Sequence, residues 1–522
     1  MLFVAYFASA EWACFKALNW PMPSRIIDLY AEFRVQTNGY VLPLGNGLLS
    51  ALQRHGIYTT TTKDEKEEIR TRVLAGPPWN PGEPKAILDY CEGDVAPLGA
   101  LLEAMLPALL LPSKKAWRHA LLRGRYTWSV AEMEWLGVPI DTQFHSRLLD
   151  NWDAIRRKLI RGIDQAYGVY VGTSFKAGLF ADWLVRTKQR WPRLASGKLA
   201  LDEDTFSAMA KVCPAVRPLK ELRRELSDVR HRRIAVGRDG RNRTLLSPFA
   251  TKTGRNAPRG TFIFTAGSWL RGMIKPPPGR SVAYLDFRAQ EVGIAAALSN
   301  DLAMLQAYDS GDPYMRFAVL ARLAPPGATK DTHGAVRDLC KVAVLGTNYG
   351  MGARTLAEST GVPRHEAEYV LSKLVTTFPV YWAWSERHID IGYLLGRMKT
   401  RHGWQMHVTG ATTPTALRNW TMQSTGADML RFAAIRVQER GIDVCAPVHD
   451  ALLIESDTAD MDDVVREAKE AMEKASADVL NGFRVEVEAN PTKAVVHWPN
   501  RFPPGDKGIA MWTKVNDLLE AR

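Results

Sequence analysis

The chain is poor in cysteine and in long apolar runs. Its five cysteines, at 14, 91, 213, 340 and 445, show no C-x-x-C spacing. That excludes a disulfide framework and a clustered zinc site, and it fits a reducing cytoplasm. No stretch approaches the roughly 20 apolar residues of a membrane span, so no membrane partner is expected. Residues Met1–Ala10 lack a basic start and carry too short an apolar core for a secretory signal, although Ala8-Ser9-Ala10 imitates a cleavage site. Residues 2–7 read instead as a buried strand. There is no internal repeat and no low-complexity tract, so the chain reads as an ordinary folded protein.

What is present is a large core and an excess of positive charge. Of the 522 residues, 46% are hydrophobic and 24% charged, a balance that supports several globular domains. Lys and Arg outnumber Asp and Glu by 68 to 56, a net charge of +12. Such an excess points to a polyanionic partner, most simply nucleic acid. Between Arg217 and Arg243 there are ten Lys or Arg against four Asp or Glu. This basic helix running into a basic turn would suit a phosphate backbone, or equally an exposed face laced with salt bridges.

Along the chain, residues 1–112 mix short apolar runs with helical patterns. Helix candidates are Ser24–Arg34 and Lys85–Leu110, the latter broken or kinked at Pro97 and Pro107. Residues 113–244 read as helical and polar. Strand signals return at Gly260–Phe264 and Val282–Phe287, a helical block follows from about 302 to 397, and strand-like runs resume near 399–409 and 443–455. The expectation is an α+β protein whose sheet is interrupted by one helical insertion. Its segments are 1–112, 113–244, 245–305, 306–397 and 398–522.

Two acids stand out. Asp286 closes Ser-Val-Ala-Tyr-Leu-Asp (281–286) just before a helical stretch, and Asp450 sits at the tip of a hairpin pattern, Val444–Val448 and Ala451–Glu455. Two carboxylates on neighbouring strand ends can hold two Mg²⁺ ions about 4 Å apart, which clamp the oxygens of a phosphoryl transfer. Taken alone, Asp286 could as well cap a helix, and Glu291 could be an acidic first-turn residue. Beneath a bound sugar, however, Glu291 would crowd a 2′-hydroxyl. Arg337, Lys341, Leu345 and Tyr349 recur every four residues and so share one side of a helix. Two cations there could neutralise a triphosphate above an apolar floor, or snorkel from an amphipathic helix.

Together these pieces resemble the family A DNA polymerases over roughly residues 245–490. Asp286 with Glu291 resembles that family's first palm motif, and His449-Asp450 its second. Arg337, Lys341 and Tyr349-Gly350 resemble its fingers helix. Thr253-Gly254-Arg255 is similar to the element that puts an arginine in the primer's minor groove, and Asn419 and Gln423 to the polar pair near the primer–template junction. The sequence departs from the family pattern at four places. Leu345 stands where Phe or Tyr is usual, Ala289 where Gln is, and Ala451 where Glu is. Asp312-Pro-Tyr314 replaces Asp-x-His, so Tyr314 is the expected source of one phosphate contact.

The resemblance implies a right-hand fold of palm, fingers and thumb. It also implies template-directed addition of deoxynucleotides to a primer 3′-hydroxyl, with Asp286, Asp450 and Lys341 catalytic and two Mg²⁺ ions as cofactor. Primer–template DNA and deoxynucleoside triphosphates are the implied partners, and the chain is expected to act as a monomer. A single-subunit RNA polymerase and a non-catalytic DNA-binding scaffold are the alternatives. The first 112 residues resemble a ribonuclease H-like α/β proofreading exonuclease. Tyr90-x-x-x-Asp94 matches one metal motif, and Glu11 stands where Asp is usual in another. The Asp-x-Glu motif expected upstream is missing, so a truncated, vestigial exonuclease is expected.

Overall fold

The computed structural model describes residues 1–58, 63–110, 114–227, 234–489, 495–506 and 508–520. Its contacts divide the chain into two units. The first gathers Met1–Leu136, Leu246–Ala257 and Ala283–Ala494; the second gathers Gly137–Leu245, Pro258–Val282 and Val495–Arg522. Three segments expected from sequence are therefore divided, 245–305 among them, since Pro258–Val282 falls in the second unit. Helix Lys114–Leu136 belongs with the first unit rather than with 137–244, and the tail beyond 494 belongs with the second.

The first unit is organised by a sheet with strands in the order Asp443–Val448, Ala451–Asp457, Arg280–Phe287, Val487–Ala489. The first pair is the expected hairpin, in antiparallel register from Asp443↔Glu455 to Val448↔Ala451, with a bulge between Val444 and Ala446. Val487–Ala489 runs antiparallel to Arg280–Phe287 and sets Glu488 directly across from Asp286. Helices Pro414–Glu439 and Met461–Val479 pack on each other and on these strands. In the second helix Met461, Ala468, Ala471, Met472, Ala475 and Val479 form the apolar stripe this packing needs. The first helix starts with Pro414 and a Thr413 hydroxyl that accepts from the Ala416 amide at 3.2 Å.

At the N-terminus, Phe3–Ala5 pairs in parallel with Ile26–Asp28. The helix expected from Ser24 therefore begins only at Leu29. Ile26 and Ile27 are buried β-branched residues that favour a strand, and Asp28 then caps the helix by accepting from the Tyr30 amide at 2.9 Å. The apolar stretch Glu83–Leu110 departs from expectation. By length and composition alone it could cross a membrane, and little of its most apolar part is buried. It is divided into helices Glu83–Val95 and Leu98–Leu110, and Leu101, Met105 and Leu109 enter a core with Ile27, Leu29 and Phe33.

In the second unit, helix Thr142–Asp164 turns Phe144, Leu148, Trp152, Ile155 and Leu159 inward at helical spacing. It packs against Arg217–Ser227 and Ile509–Glu520. Residues 228–233 of the basic stretch lie outside the described residues. Residues 260–264 were expected as a strand and instead form a turn followed by the 3₁₀ turn Ile263–Thr265. Here the Asn242 side chain takes the place of a ladder partner, accepting from the Ile263 amide at 2.9 Å and donating to the Thr261 carbonyl at 2.9 Å.

Candidate active site

Strand Ala451–Asp457 lies directly beside Arg280–Phe287, so sheet pairing brings Asp450 next to Asp286 across a long interval of sequence. His449 and Asp450 form the two-residue turn of the hairpin. His449 takes φ 55°, the left-handed conformation such tight turns require, and is exposed. Burial pushes the Asp286 carboxyl up to about 7, and the negative charges of Asp450 and Glu488 push the same way. Acids close enough to do this repel one another unless a cation intervenes. Here the cation is the Arg255 guanidinium, whose Nη2 donates to Asp450 Oδ1 at 2.6 Å.

This donor set suits a hard cation such as Mg²⁺, which takes one or two carboxylates and completes its shell with water and substrate oxygens. Among the described residues no three His, Cys, Asp or Glu side chains form a ready-made cage. Glu488 was not singled out from sequence. The alternation Val485-Glu-Val-Glu-Ala489 marks a strand, but its register against Asp286 is a non-local property.

Helix Lys330–Asn348 carries Arg337, Lys341 and Leu345, and Tyr349 is its C-terminal cap. Gly350 must take φ 78°, and a Cβ there would stand 2.8 Å from the Thr415 methyl, so glycine lets the helix end close against Pro414–Glu439. Asp312 caps helix Pro313–Leu320 through the Met315 amide at 3.1 Å, while its other oxygen accepts from Arg337 Nε. The buried Tyr314 ring centroid lies 5.5 Å from the Arg337 guanidinium carbon and 5.8 Å from Lys341 Nζ. Burial pushes the Tyr314 phenol up to about 12, with the Glu291 charge adding to it, so it remains a protonated donor at neutral pH.

Glu291 joins the helix end to the acids. Its Oε1 accepts from Tyr349 Oη at 2.9 Å and from Gln423 Nε2 at 2.5 Å. Gln423 Nε2 also donates to Tyr349 Oη at 2.6 Å. Burial raises the Glu291 pKa, the two hydrogen bonds oppose it, and the charges of Asp450 and Arg255 both reach it. Gln423, 5% exposed, lies on the inward face of its helix and is enclosed in this network. One turn earlier, Asn419 Oδ1 is buried and has no hydrogen-bond partner among the described residues.

The exonuclease-like residues are not gathered in this way. Asp94 pairs with Lys66, whose Nζ also lies 5.7 Å from the Tyr90 ring centroid. Burial pushes the Glu11 carboxyl up to about 7, and the acid whose charge adds to that is Asp28, not Asp94. Asp28 itself is taken up by the backbone amides of Phe7, Ala8 and Tyr30, at 3.0, 3.1 and 2.9 Å.

The chain is 26% identical over 395 residues to the thermostable DNA polymerase I of Thermus thermophilus, a match covering 69% of this chain and 46% of that protein. It is 29% identical over 257 residues to the DNA polymerase of Mycobacterium phage D29, covering 48% of this chain and 42% of the phage protein. The chain thus spans about half the length of the curated relatives it matches. Its fold resembles that of the POL domain of Pol1 from M. smegmatis, solved in complex with a DNA primer-template and dNTP. The TM-score is 0.70 at 18% identity, over 93% of this chain and 84% of that one. The model of DNA polymerase family A matches residues 209–494, more than half of the sequence, and the chain belongs to that family.

Proposed function

We propose that the chain is a DNA-directed DNA polymerase acting in replication or repair, which adds deoxynucleotides to a primer 3′-hydroxyl and releases pyrophosphate. The convergence of Asp286 and Asp450 on neighbouring strand ends carries this reading. In it, residues 246–257, 283–305 and 398–494 act as palm, 306–397 as fingers, and the second unit as the core of the thumb. Asp286 and Asp450 would hold two Mg²⁺ ions, which would supply positive charge against the charge of a phosphoryl transfer. Arg337 and Lys341 take the triphosphate, and the Tyr314 hydroxyl donates to it. Leu345 and Tyr349 form the floor for base and sugar. Arg255 exchanges Asp450 for acceptors in the minor groove, which stand at similar positions in every correct base pair. His449 and Asn419 flank the DNA. A primer-extension assay with all four deoxynucleotides tests the reading. Mg²⁺-dependent, EDTA-sensitive extension supports it, and no extension under any divalent ion overturns it.

Glu291 is assigned the sugar selection, since a carboxylate held by Tyr349 and Gln423 cannot swing away from a 2′-hydroxyl. Glu291→Ala is expected to raise ribonucleotide use relative to deoxynucleotide use by about ten- to hundredfold, the range of steric discrimination in a pocket. Competing single-nucleotide incorporation measures it, and an unchanged ratio rejects the assignment. The N-terminal segment, with Glu11 and Asp94 in separate pairings, is read as inactive in proofreading. A primer with a mismatched 3′ nucleotide should lose it no faster than with the Asp94→Ala variant; brisk, Asp94-dependent release would contradict this.

A further inference from the structure

The exonuclease-like segment holds the loop that carries Arg255. Phe249–Asn256 has little regular structure of its own, yet five of its eight carbonyls, those of Phe249, Ala250, Thr251, Lys252 and Gly254, accept from donors outside it. Arg34 is 8% exposed on helix Leu29–Thr37 and takes three in succession. Its Nε donates to the Phe249 carbonyl at 3.2 Å, and its Nη2 to those of Ala250 and Thr251 at 3.3 and 3.4 Å. Asn38, 1% exposed, closes the same helix and donates through Nδ2 to the Lys252 carbonyl and to that of Gln405, both at 2.7 Å. Trp404 and Trp420 donate to the same Lys252 oxygen at 3.1 and 2.8 Å, and Arg431 donates to the Gly254 carbonyl at 2.7 Å.

Such holding is needed because the loop is conformationally costly. Phe249 has φ 59° without being glycine, and Gly254 has φ 77° where a Cβ would stand 2.9 Å from the Trp404 ring. A buried guanidinium satisfied by consecutive carbonyls is a strong clamp, because each unmade bond would leave a buried polar group orphaned. The next residue after Gly254 is Arg255, at hydrogen-bond distance from Asp450.

We infer that Arg34 and Asn38 are positioning residues for the polymerase site: the segment that resembles a nuclease serves as the brace that sets the Arg255 loop. This inference rests on the polymerase reading and adds a role for a part of the chain that reading leaves without one. Arg34 and Asn38 touch neither the acids nor any candidate nucleotide contact. On this inference their effect on incorporation passes through Arg255, which separates a brace from general stabilisation.

The test is single-nucleotide incorporation by the full chain and by its Arg34→Met, Asn38→Ala, Arg255→Ala and Arg34→Met/Arg255→Ala variants. Each is run on a primer ending in guanine and on one ending in 3-deazaguanine, which lacks the minor-groove acceptor. Arg34→Met is expected to slow incorporation on the guanine primer by about ten- to hundredfold, the cost of a small misplacement at a reacting centre. It should also erase most of the difference between the two primers and add little to Arg255→Ala. Arg34→Lys should recover part of the rate. If Arg34→Met is insoluble, Asn38→Ala with a wild-type melting temperature carries the same comparison. A full primer difference retained in both variants, or losses that simply multiply in the double variant, overturn the inference while the wild-type chain still extends. A wild-type chain that never extends a primer overturns the polymerase reading, and the inference falls with it.

Discussion

Asp450→Ala is expected to lower nucleotide incorporation by about a thousandfold or more, while primer–template binding survives. Asp450 sits at a hairpin tip whose two strands are buried along most of their length, so removing its carboxylate should leave the backbone in place. What disappears is half of the negative charge that would hold divalent cations. What is released is Arg255, whose only described carboxylate partner is Asp450. Binding of DNA should therefore hold or tighten as chemistry fails. Asp450→Asn keeps the size of the side chain and removes its charge, and it should fall as far as the alanine variant. Rapid-quench incorporation and fluorescence anisotropy with labelled primer–template separate the two effects. Incorporation within tenfold of wild type would remove Asp450 from the chemistry.

Lys341→Ala should cost about a hundredfold or more in the rate of incorporation at saturating nucleotide, with weaker nucleotide binding besides. The two cations of the helix are not equivalent. Arg337 already shares its charge with Asp312, whereas Lys341 is exposed and has no carboxylate within salt-bridge distance among the described residues. Its charge is unspent in the unliganded chain and available to a triphosphate. Lys341→Arg should recover binding better than rate, since a broad planar guanidinium cannot occupy the place of a compact ammonium. A pre-steady-state titration of nucleotide resolves rate from affinity, and a variant unchanged in both would refute the role.

The parts of this site that could be read from sequence are those with local grammar. The hairpin around Asp450 shows β-rich runs meeting at a two-residue turn, and the Arg337–Tyr349 series shows helical spacing. Both are present as expected. The start of helix Leu29–Thr37 was misjudged because a short buried strand and a capping Asp precede it, and a three-residue strand leaves little periodicity. Residues 260–264 have strand-like composition but find an Asn242 side chain rather than a neighbouring strand. Glu488 and the enclosure of Gln423 were hidden for a different reason. Cross-strand register and the inward face of a helix surrounded on all sides are set by tertiary packing, which no local window contains.

The Lys252 carbonyl accepts from Asn38, Trp404 and Trp420, residues drawn from opposite ends of the chain. Contacts this distant form late, because the entropy of closing the intervening loops must be met first. A ribosome releasing this chain would deliver the arginine's loop long before its last supports emerge. The setting of the Arg255 loop is thus expected to be among the last features of the fold to mature.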